Sequence, residues 1–200
     1  MNPEDSLRAA GFTLIAGVDE AGRGAYAGPI VIAAVILDPD NPLDRVGDSK
    51  RFSESERANI AQQIKERALA YSILAIEASE IDEHGLHQSN LGGMRRVITA
   101  LEPIPDYIIT DGYHVAGLEI PSIAMWRGDQ VSKSVGAASI LAKNHRDQVM
   151  IEWDRQFPDY GFATHKGYGT AMHQRALERF GILPIHRRSF APIGKLLSAK

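Results

Sequence analysis

The chain has 200 residues, 44% of them hydrophobic and 24% charged, with a formal net charge of −3. That length fits about one domain, and the composition excludes a disordered or fibrous chain. The absence of cysteine excludes a disulfide scaffold, a cysteine nucleophile and thiolate metal ligands. The longest apolar run, residues 30–37, is too short to span a membrane, and the acidic N-terminus is not a signal peptide. We therefore expect one cytoplasmic domain over residues 1–200, monomeric and without a membrane partner.

The charge is unevenly distributed along the chain. Residues 1–142 carry 12 Lys and Arg against 20 Asp and Glu, whereas residues 143–200 carry 10 against 5. A basic end on an acidic background is typical of a face that binds a polyanion, although an ordinary surface bias explains it about as often.

The first half of the chain predicts strands. Residues 13–18 are β-branched and apolar, residues 29–37 form a near-continuous apolar run, and a glycine-rich turn joins them. This pattern predicts two adjacent strands, the second buried on both faces. Ser53 and Glu56 form a capping box, so a helix is expected over 54–69.

Further strands and a second helix follow. Strands are predicted over 71–76 and 107–110, separated by an amphipathic helix over 91–101 that prolines end. Residues 118–124 are expected to form another strand, which Pro121 would confine to the edge of the sheet.

The last third of the chain predicts helices. A long helix is expected over 132–150, and a shorter one begins at Thr170 and closes at Gly181, a C′ glycine. Residues from about 151 to 200 would form a helical C-terminal part. The order of elements predicts an α/β fold with a mixed sheet.

Carboxylates fall at the ends of these predicted elements. Asp19 and Glu20 follow the first strand, Asp111 follows the fourth, and Asp129 precedes the long helix. Ligands bind at strand ends in α/β sheets, and oxygen ligands suit Mg²⁺. Two such ions would activate a water and stabilise the leaving oxygen of a phosphodiester. A turn before glycine or a helix N-cap explains a single Asp equally well, and strand alternation sends Asp19 and Glu20 to opposite faces.

Two loops carry candidate phosphate contacts. Gly22, Arg23 and Gly24 fit a backbone nest for a phosphate or a sugar, or else a tight turn with an exposed arginine. Ser49 and Lys50, which follow Asp48, lie in a loop that would hold a phosphate or form an ordinary turn.

The second half of the chain offers further candidates. One face of the long helix carries Ser132, Ser139, Lys143 and Arg146. That face would follow a phosphate backbone or be an ordinary solvated stripe. Lys166 and Tyr168 lie between glycines, where the ring would stack on a sugar or base or else belong to the core. No histidines are paired at metal-ligand spacing, so we expect these to be structural or surface residues: His84, His87, His114, His145, His173 and His186.

The chain contains several short motifs in a fixed order. The opening block is AGVDEAGRG, followed by AGP, and the later blocks are DSK, DG, GD with AASILAK, HKGY and HRRSF. In this ordered set the sequence resembles the ribonuclease HII family, the bacterial type 2 ribonucleases H. Together these blocks cover about residues 12–195. None of the four carboxylates departs from the family pattern. The departures are at Ala25, Tyr26, Gly47, Thr110, Tyr113, His114 and Arg127, of which Arg127 retains the charge of the usual lysine.

The resemblance implies a ribonuclease H-like fold: a five-stranded mixed sheet flanked by helices, with a C-terminal helical segment. It implies an endoribonuclease that hydrolyses RNA in RNA–DNA hybrids. It also implies cutting on the 5′ side of ribonucleotides embedded in duplex DNA, which leaves 3′-hydroxyl and 5′-phosphate ends and serves ribonucleotide excision repair. Two Mg²⁺ or Mn²⁺ ions would be held by Asp19, Glu20, Asp111 and Asp129.

The resemblance also implies the substrate contacts. Main-chain groups of Gly22, Arg23 and Gly24 would contact the ribonucleotide, and Tyr168 would stack on the next deoxyribose. The further contacts to the substrate would be made by Ser49, Lys50, Ser139, Lys143 and Lys166. A non-catalytic nucleic-acid-binding module, and a DNA endonuclease or resolvase on the same scaffold, are the alternatives. The sequence does not specify a replication partner.

Overall fold

The computed structural model describes residues 2–198, which form a five-stranded sheet and flanking helices. The strands are β1 (Ile15–Ala21), β2 (Ile30–Ile36), β3 (Ala70–Ile76), β4 (Tyr107–Asp111) and β5 (Ser122–Met125). Their order in the sheet is β3-β2-β1-β4-β5, and β4 is parallel to both of its neighbours. This arrangement confirms the predicted α/β fold with its five-stranded sheet, the adjacency of the first two strands, and the edge position of the last.

The helices of the described residues are α1 (Pro3–Ala9), α2 (Glu54–Arg67), α3 (Ala78–His84), α4 (Leu86–Thr99), α5 (Gly128–Val131), α6 (Lys133–Gln156), α7 (Phe162–His165), α8 (Ala171–Phe180) and α9 (Ala191–Ser198). Short 3₁₀ helices cover Ser49–Arg51 and Pro158–Tyr160. No helix within residues 2–198 is both long and apolar enough to cross a membrane.

Contacts between residues divide the chain into two compact units. The first unit comprises the described residues of Met1–Ala21, together with Ile32–Leu74 and Asn90–Asn144. The second unit comprises Gly22–Val31, Ala75–Ser89 and the described residues of His145–Lys200. The single domain expected over residues 1–200 stays a prediction.

Local sequence signals explain several element boundaries. The Ser53 and Glu56 capping box begins α2, and the Thr170 side chain caps α8, which ends before Gly181 at φ 84°. Every residue of β2 is buried, because an unbroken apolar run can face the core on both sides of a sheet.

Other boundaries differ from the predicted ones. Strand β1 continues through Asp19 and Glu20 to Ala21 instead of ending before them. Helix α6 runs to Gln156, six residues past the predicted end. Helices α1 and α3 were not predicted, although an Asn2 cap followed by Pro3 is a helix-start signal.

Strand β1 and helix α6 approach each other closely in the first unit. A Cβ added to Gly17 would lie 2.5 Å from the carbonyl oxygen of Ser134, in the first turn of α6, and nearer still to the adjacent peptide atoms. Only glycine permits this approach, because any side chain would overlap with backbone. The contact lies two residues before Asp19 and so positions the strand end that carries the first carboxylates.

Candidate active site

A cleft of about 510 Å³ opens in the first unit at the carboxyl ends of the parallel strands. We call it the acid cleft. Its charged lining residues are Glu20, Asp48, Lys50, Asp111, Arg127 and Asp129. Glu20 comes from the end of β1, Asp111 is the last residue of β4, and Asp129 lies in α5. Parallel strands present their carboxyl ends at the same edge of a sheet, so the fold collects acids that are far apart in sequence.

Asp19 precedes Glu20 in β1 and is more deeply buried than the acids that line the cleft. Its carboxylate accepts a hydrogen bond from the Glu20 N–H at 2.7 Å and another from Ser139. Burial, and then the negative charges of Glu20 and Asp111, raise the pKa of Asp19 well above its ordinary value. Burial is thus the main cause of the raised pKa, and the neighbouring carboxylates add to it.

Asp111 and Asp129 also interact electrostatically. Asp111 Oδ1 accepts a hydrogen bond of 2.7 Å from the Gly128 N–H, which ties the end of β4 to the start of α5. Burial raises the pKa of Asp129, and the charges of Asp111 and Asp48 raise it further, while Lys50 opposes them. The structure therefore brings all four predicted carboxylates within electrostatic reach of one another.

Asp48 is a fifth acid that the sequence analysis did not single out as a carboxylate of the site. Its side chain accepts a hydrogen bond from the Lys50 N–H at 3.0 Å and begins the 3₁₀ helix. The sequence analysis identified the motif of Asp48, Ser49 and Lys50, but it proposed only the serine and the lysine as phosphate contacts. Asp48 lines the acid cleft because the loop returns to the sheet edge.

The chemistry of this donor set fits hard divalent cations. Carboxylate oxygens are their preferred ligands, and a cation would neutralise the charge that raises the pKa values of Asp19 and Asp129. Among residues 2–198, no group of three or more His, Asp or Glu side chains stands in a position to hold a metal ion as it is. The carboxylate side chains are therefore chemically suited to bind a metal ion, although their positions in the described residues do not already form a complete ligand set.

The predicted phosphate contacts of the first unit have different environments. Lys50 is exposed at the acid cleft, whereas Ser49 and Ser139 are buried, with their hydroxyl oxygens 3.1 Å apart. Lys143 is half-buried. The face of α6 that carries Ser139 and Lys143 is therefore not a solvated stripe, and the Ser139 side chain hydrogen-bonds to Asp19.

In the second unit, two buried arginines hold the glycine-rich loop. Arg187 donates hydrogen bonds to the carbonyl oxygens of Arg23, at 2.9 Å, and of Gly28, and Arg146 donates to those of Ala27 and Pro29. Gly22 has φ 90°, and a Cβ there would overlap with the Arg146 side chain. Arg146 was expected on an exposed helix face, and that expectation is wrong, because its guanidinium is buried against backbone carbonyls.

Tyr168 and Lys166 also belong to the second unit. The Tyr168 ring is partly exposed, and the Arg146 guanidinium lies over it, 5.2 Å from the ring centre. Lys166 is buried in the left-handed region at φ 50°, with its ammonium group donating to the carbonyl oxygen of Ala163. The Arg146 side chain therefore packs against both Gly22 and Tyr168.

Three histidines cluster in the second unit. The rings of His165 and His173 stack 4.5 Å apart, and the Nε2 atoms of His173 and His186 are 3.0 Å apart. Burial lowers the pKa of His173 and of His186 to about 4. These residues are neutral parts of the core, and their spacing in the sequence did not predict that they meet.

Comparison with known proteins gives a family match over most of the chain. The model of the family Ribonuclease HII matches residues 16–193. Ribonuclease HII of Salinispora tropica is 47% identical over 192 residues, which cover 95% of this chain and 71% of that protein.

Solved structures share the fold. The ribonuclease H2 from Pyrococcus horikoshii OT3 has a TM-score of 0.83 at 26% identity, covering 94% of this chain and 98% of that one. Bst-RNase HIII, solved in complex with Mn²⁺, has a TM-score of 0.74 at 20% identity, covering 94% of this chain and 70% of that one. These matches confirm the resemblance on which the expected fold depends.

Proposed function

The chain belongs to the ribonuclease HII family and is therefore a ribonuclease H, and we propose that it hydrolyses RNA in RNA–DNA hybrids and cuts on the 5′ side of ribonucleotides in duplex DNA. The products would carry 3′-hydroxyl and 5′-phosphate ends, and the reaction would serve ribonucleotide excision repair. The observation that carries this proposal is the electrostatic coupling of Asp19, Asp111 and Asp129 at the carboxyl edge of the sheet.

Asp19, Glu20, Asp111 and Asp129 would hold two divalent ions, Mg²⁺ or Mn²⁺. When bound, such ions supply the positive charge that activates a water and stabilises the departing 3′-oxygen. Asp19 is the central residue in this proposal, because its pKa responds to both Glu20 and Asp111. Ser139 and the Glu20 N–H orient the Asp19 carboxylate through their hydrogen bonds.

The choice of RNA over DNA would depend on the 2′-hydroxyl, the group that distinguishes them at one nucleotide. Main-chain groups of Gly22, Arg23 and Gly24 would contact the ribonucleotide. Arg187 supports this role because it holds the Arg23 carbonyl oxygen and so restricts the loop backbone. Tyr168 would pack on the following deoxyribose, with its ring oriented by the cation above it.

The remaining contacts would be made by cations and hydroxyls. The carboxylates of the acid cleft repel a phosphate backbone, so binding requires positive charge beside them. Lys50 is in place at the cleft, and the other proposed contacts are Ser49, Ser139, Lys143 and Lys166. We propose that the chain acts as a monomer on these duplexes.

Cleavage of a labelled DNA duplex with one ribonucleotide tests the proposal. With Mg²⁺ or Mn²⁺ we expect one cut 5′ of the ribonucleotide, no cut without metal, and no cut in a matched all-DNA duplex. Cutting of both duplexes would indicate a DNA endonuclease or resolvase. Binding with no cutting in either metal would indicate a non-catalytic module.

The variant Asp19→Asn tests the site. We expect turnover to fall more than about a hundredfold, because removing a ligand costs more than the 10–100-fold typical of supporting residues. Hybrid binding should be retained. The exposed Asp40 lies outside the acid cleft, so Asp40→Asn is the matched control and should cut like the wild type. Full turnover by Asp19→Asn would refute the assignment.

A further inference from the structure

Trp126 is an exposed aromatic side chain at the acid cleft. It is 83% exposed and lines the cleft together with Asp111 and Asp129. Tryptophan is highly buried on average in folded proteins, so an indole left in water at a functional cleft is an uncommon placement.

The backbone holds Trp126 in place. Met125, the residue before it, pairs with Asp111 in the sheet and accepts a hydrogen bond of 2.9 Å from the Gly112 N–H. Two residues after Trp126, the Gly128 N–H donates to the Asp111 carboxylate at 2.7 Å. Both ends of this short segment are therefore attached to the end of β4 that carries a proposed catalytic acid.

The residue after Trp126 has an unusual backbone conformation. Arg127 lies in the left-handed region, with φ 55° and ψ 45°, which a residue with a side chain adopts only when its surroundings impose it. The turn at Arg127 completes the connection from β5 to α5. Trp126 is thus presented by a constrained turn and not by a long loop.

The lining of the cleft indicates what Trp126 contacts. Beside its acids the cleft carries two cations, Lys50 and Arg127, and cations together with an exposed aromatic ring are typical of surfaces that bind nucleic acid strands. The bases of a duplex are already stacked on one another, so the faces that a duplex exposes to a neighbouring ring belong to its sugars. A sugar ring offers an apolar C–H surface that an indole can cover.

We propose that Trp126 binds the substrate duplex by packing its indole against a sugar ring beside the acid cleft. This inference rests on the proposed function and names a further binding residue for it. Trp126 would contribute to affinity and to the register of the duplex in the cleft, since its backbone is attached to Asp111. It takes no part in the chemical step.

Fluorescence gives a direct test, because the chain has only two tryptophans. In the double variant Asp19→Asn, Trp153→Phe, the only indole is that of Trp126. An 18-base-pair RNA–DNA hybrid should shift its emission to shorter wavelength and protect it from quenching by acrylamide. Emission that does not respond while the hybrid is bound, as followed by gel shift, would overturn the inference.

Kinetics give a second test with a readout that depends on binding. Trp126→Ala should raise KM for the hybrid about tenfold, which corresponds to about 1.4 kcal/mol, with a smaller change in kcat. Trp126→Tyr should recover most of the loss, because a tyrosine ring also covers a sugar face. Ile104 is 71% exposed and outside the acid cleft, so Ile104→Ala is the control for lost apolar surface and should keep the wild-type KM.

The two proposals fail in different ways. If the wild type cuts the hybrid and Trp126→Ala has the same KM, the inference is wrong and the proposed function stands. If the wild type cuts nothing in either metal while the Trp126 emission still responds to the hybrid, the proposed function is wrong and the contact stands. An emission change caused by another protein and not by the duplex would identify a protein-docking residue and overturn the inference.

Discussion

Replacing Gly17 with alanine should push strand β1 away from helix α6. The added Cβ would lie 2.5 Å from the Ser134 carbonyl oxygen, whereas ordinary van der Waals contact begins at 3.4 Å. The neighbouring Ser134 carbonyl carbon and Val135 nitrogen would lie nearer still, so the strand and the helix must separate by more than about 1 Å. The atoms in the way are backbone, which cannot rotate aside. Overpacking of this kind costs roughly 1–3 kcal/mol of folding free energy.

The same displacement should reach the catalytic site. Gly17 lies two residues before Asp19 in β1, and Ser139, which hydrogen-bonds to Asp19, lies in α6. A misplacement of about 1 Å can cost on the order of a hundredfold in rate. We expect Gly17→Ala to lose both stability in urea unfolding and rate in single-turnover cleavage of the ribonucleotide-containing duplex.

Gly92 provides the matched control. It lies inside helix α4, where an added Cβ meets no atom within 4 Å, so Gly92→Ala should stabilise the protein by about 0.5–1 kcal/mol and leave cleavage unchanged. If Gly17→Ala unfolds and cuts like the wild type, the close approach of β1 and α6 does not position the site, and our reasoning about it is refuted.

Two further predictions concern stability. In the folded state the pKa values of His173 and His186 are lowered from 6.5 to about 4, so between these pH values the unfolded chain binds more protons. The free energy of unfolding should therefore fall as the pH drops from 6.5 to 4, by up to about 3 kcal/mol for each histidine. Denaturation at several pH values measures this dependence. If the stability of His186→Asn depends on pH as steeply as that of the wild type, the prediction is wrong. Glu4, buried in α1, accepts hydrogen bonds from the Ser132 hydroxyl at 2.7 Å and from a backbone N–H of α6 at 2.9 Å, so Glu4→Ala should cost about 2–4 kcal/mol in urea unfolding. Asp5→Ala, on the exposed side of the same helix, should stay within about 0.5 kcal/mol, and equal losses in the two variants would show that the buried contact is unimportant.

Elements with a complete local signal were predictable from the sequence. The unbroken apolar run of β2, the Ser53 capping box of α2 and the Thr170 cap of α8 each describe interactions within a few residues, so no distant contact was needed to recognise them. The ends of β1 and α6 were not predictable in this way. Asp19 and Glu20 are poor strand formers by themselves, so no local signal predicts that β1 continues through them to Ala21.

The residues of the candidate site also differ in how far the sequence alone could predict them. The four carboxylates were proposed from their positions at the ends of predicted elements and from the family resemblance, and in the structure they interact electrostatically with one another. Their role in metal binding stays a prediction. Asp48 was not predicted as an acid of the site, because its local pattern is that of an ordinary turn. The sequence suggested an exposed stripe for Arg146, because helical spacing predicts which residues share a face but not whether another segment covers it.

By itself, the sequence determined the class of fold and the order of its main elements, because backbone geometry and amphipathic spacing are local properties of the chain. The tertiary structure decided which distant residues meet. Glu4 reaches Ser132 across 128 residues, and Arg187 reaches Gly28 across 159. Such contacts exist only after the strands are ordered in the sheet, and they determine which charges are buried, which pKa values change and which ring is left exposed at the cleft.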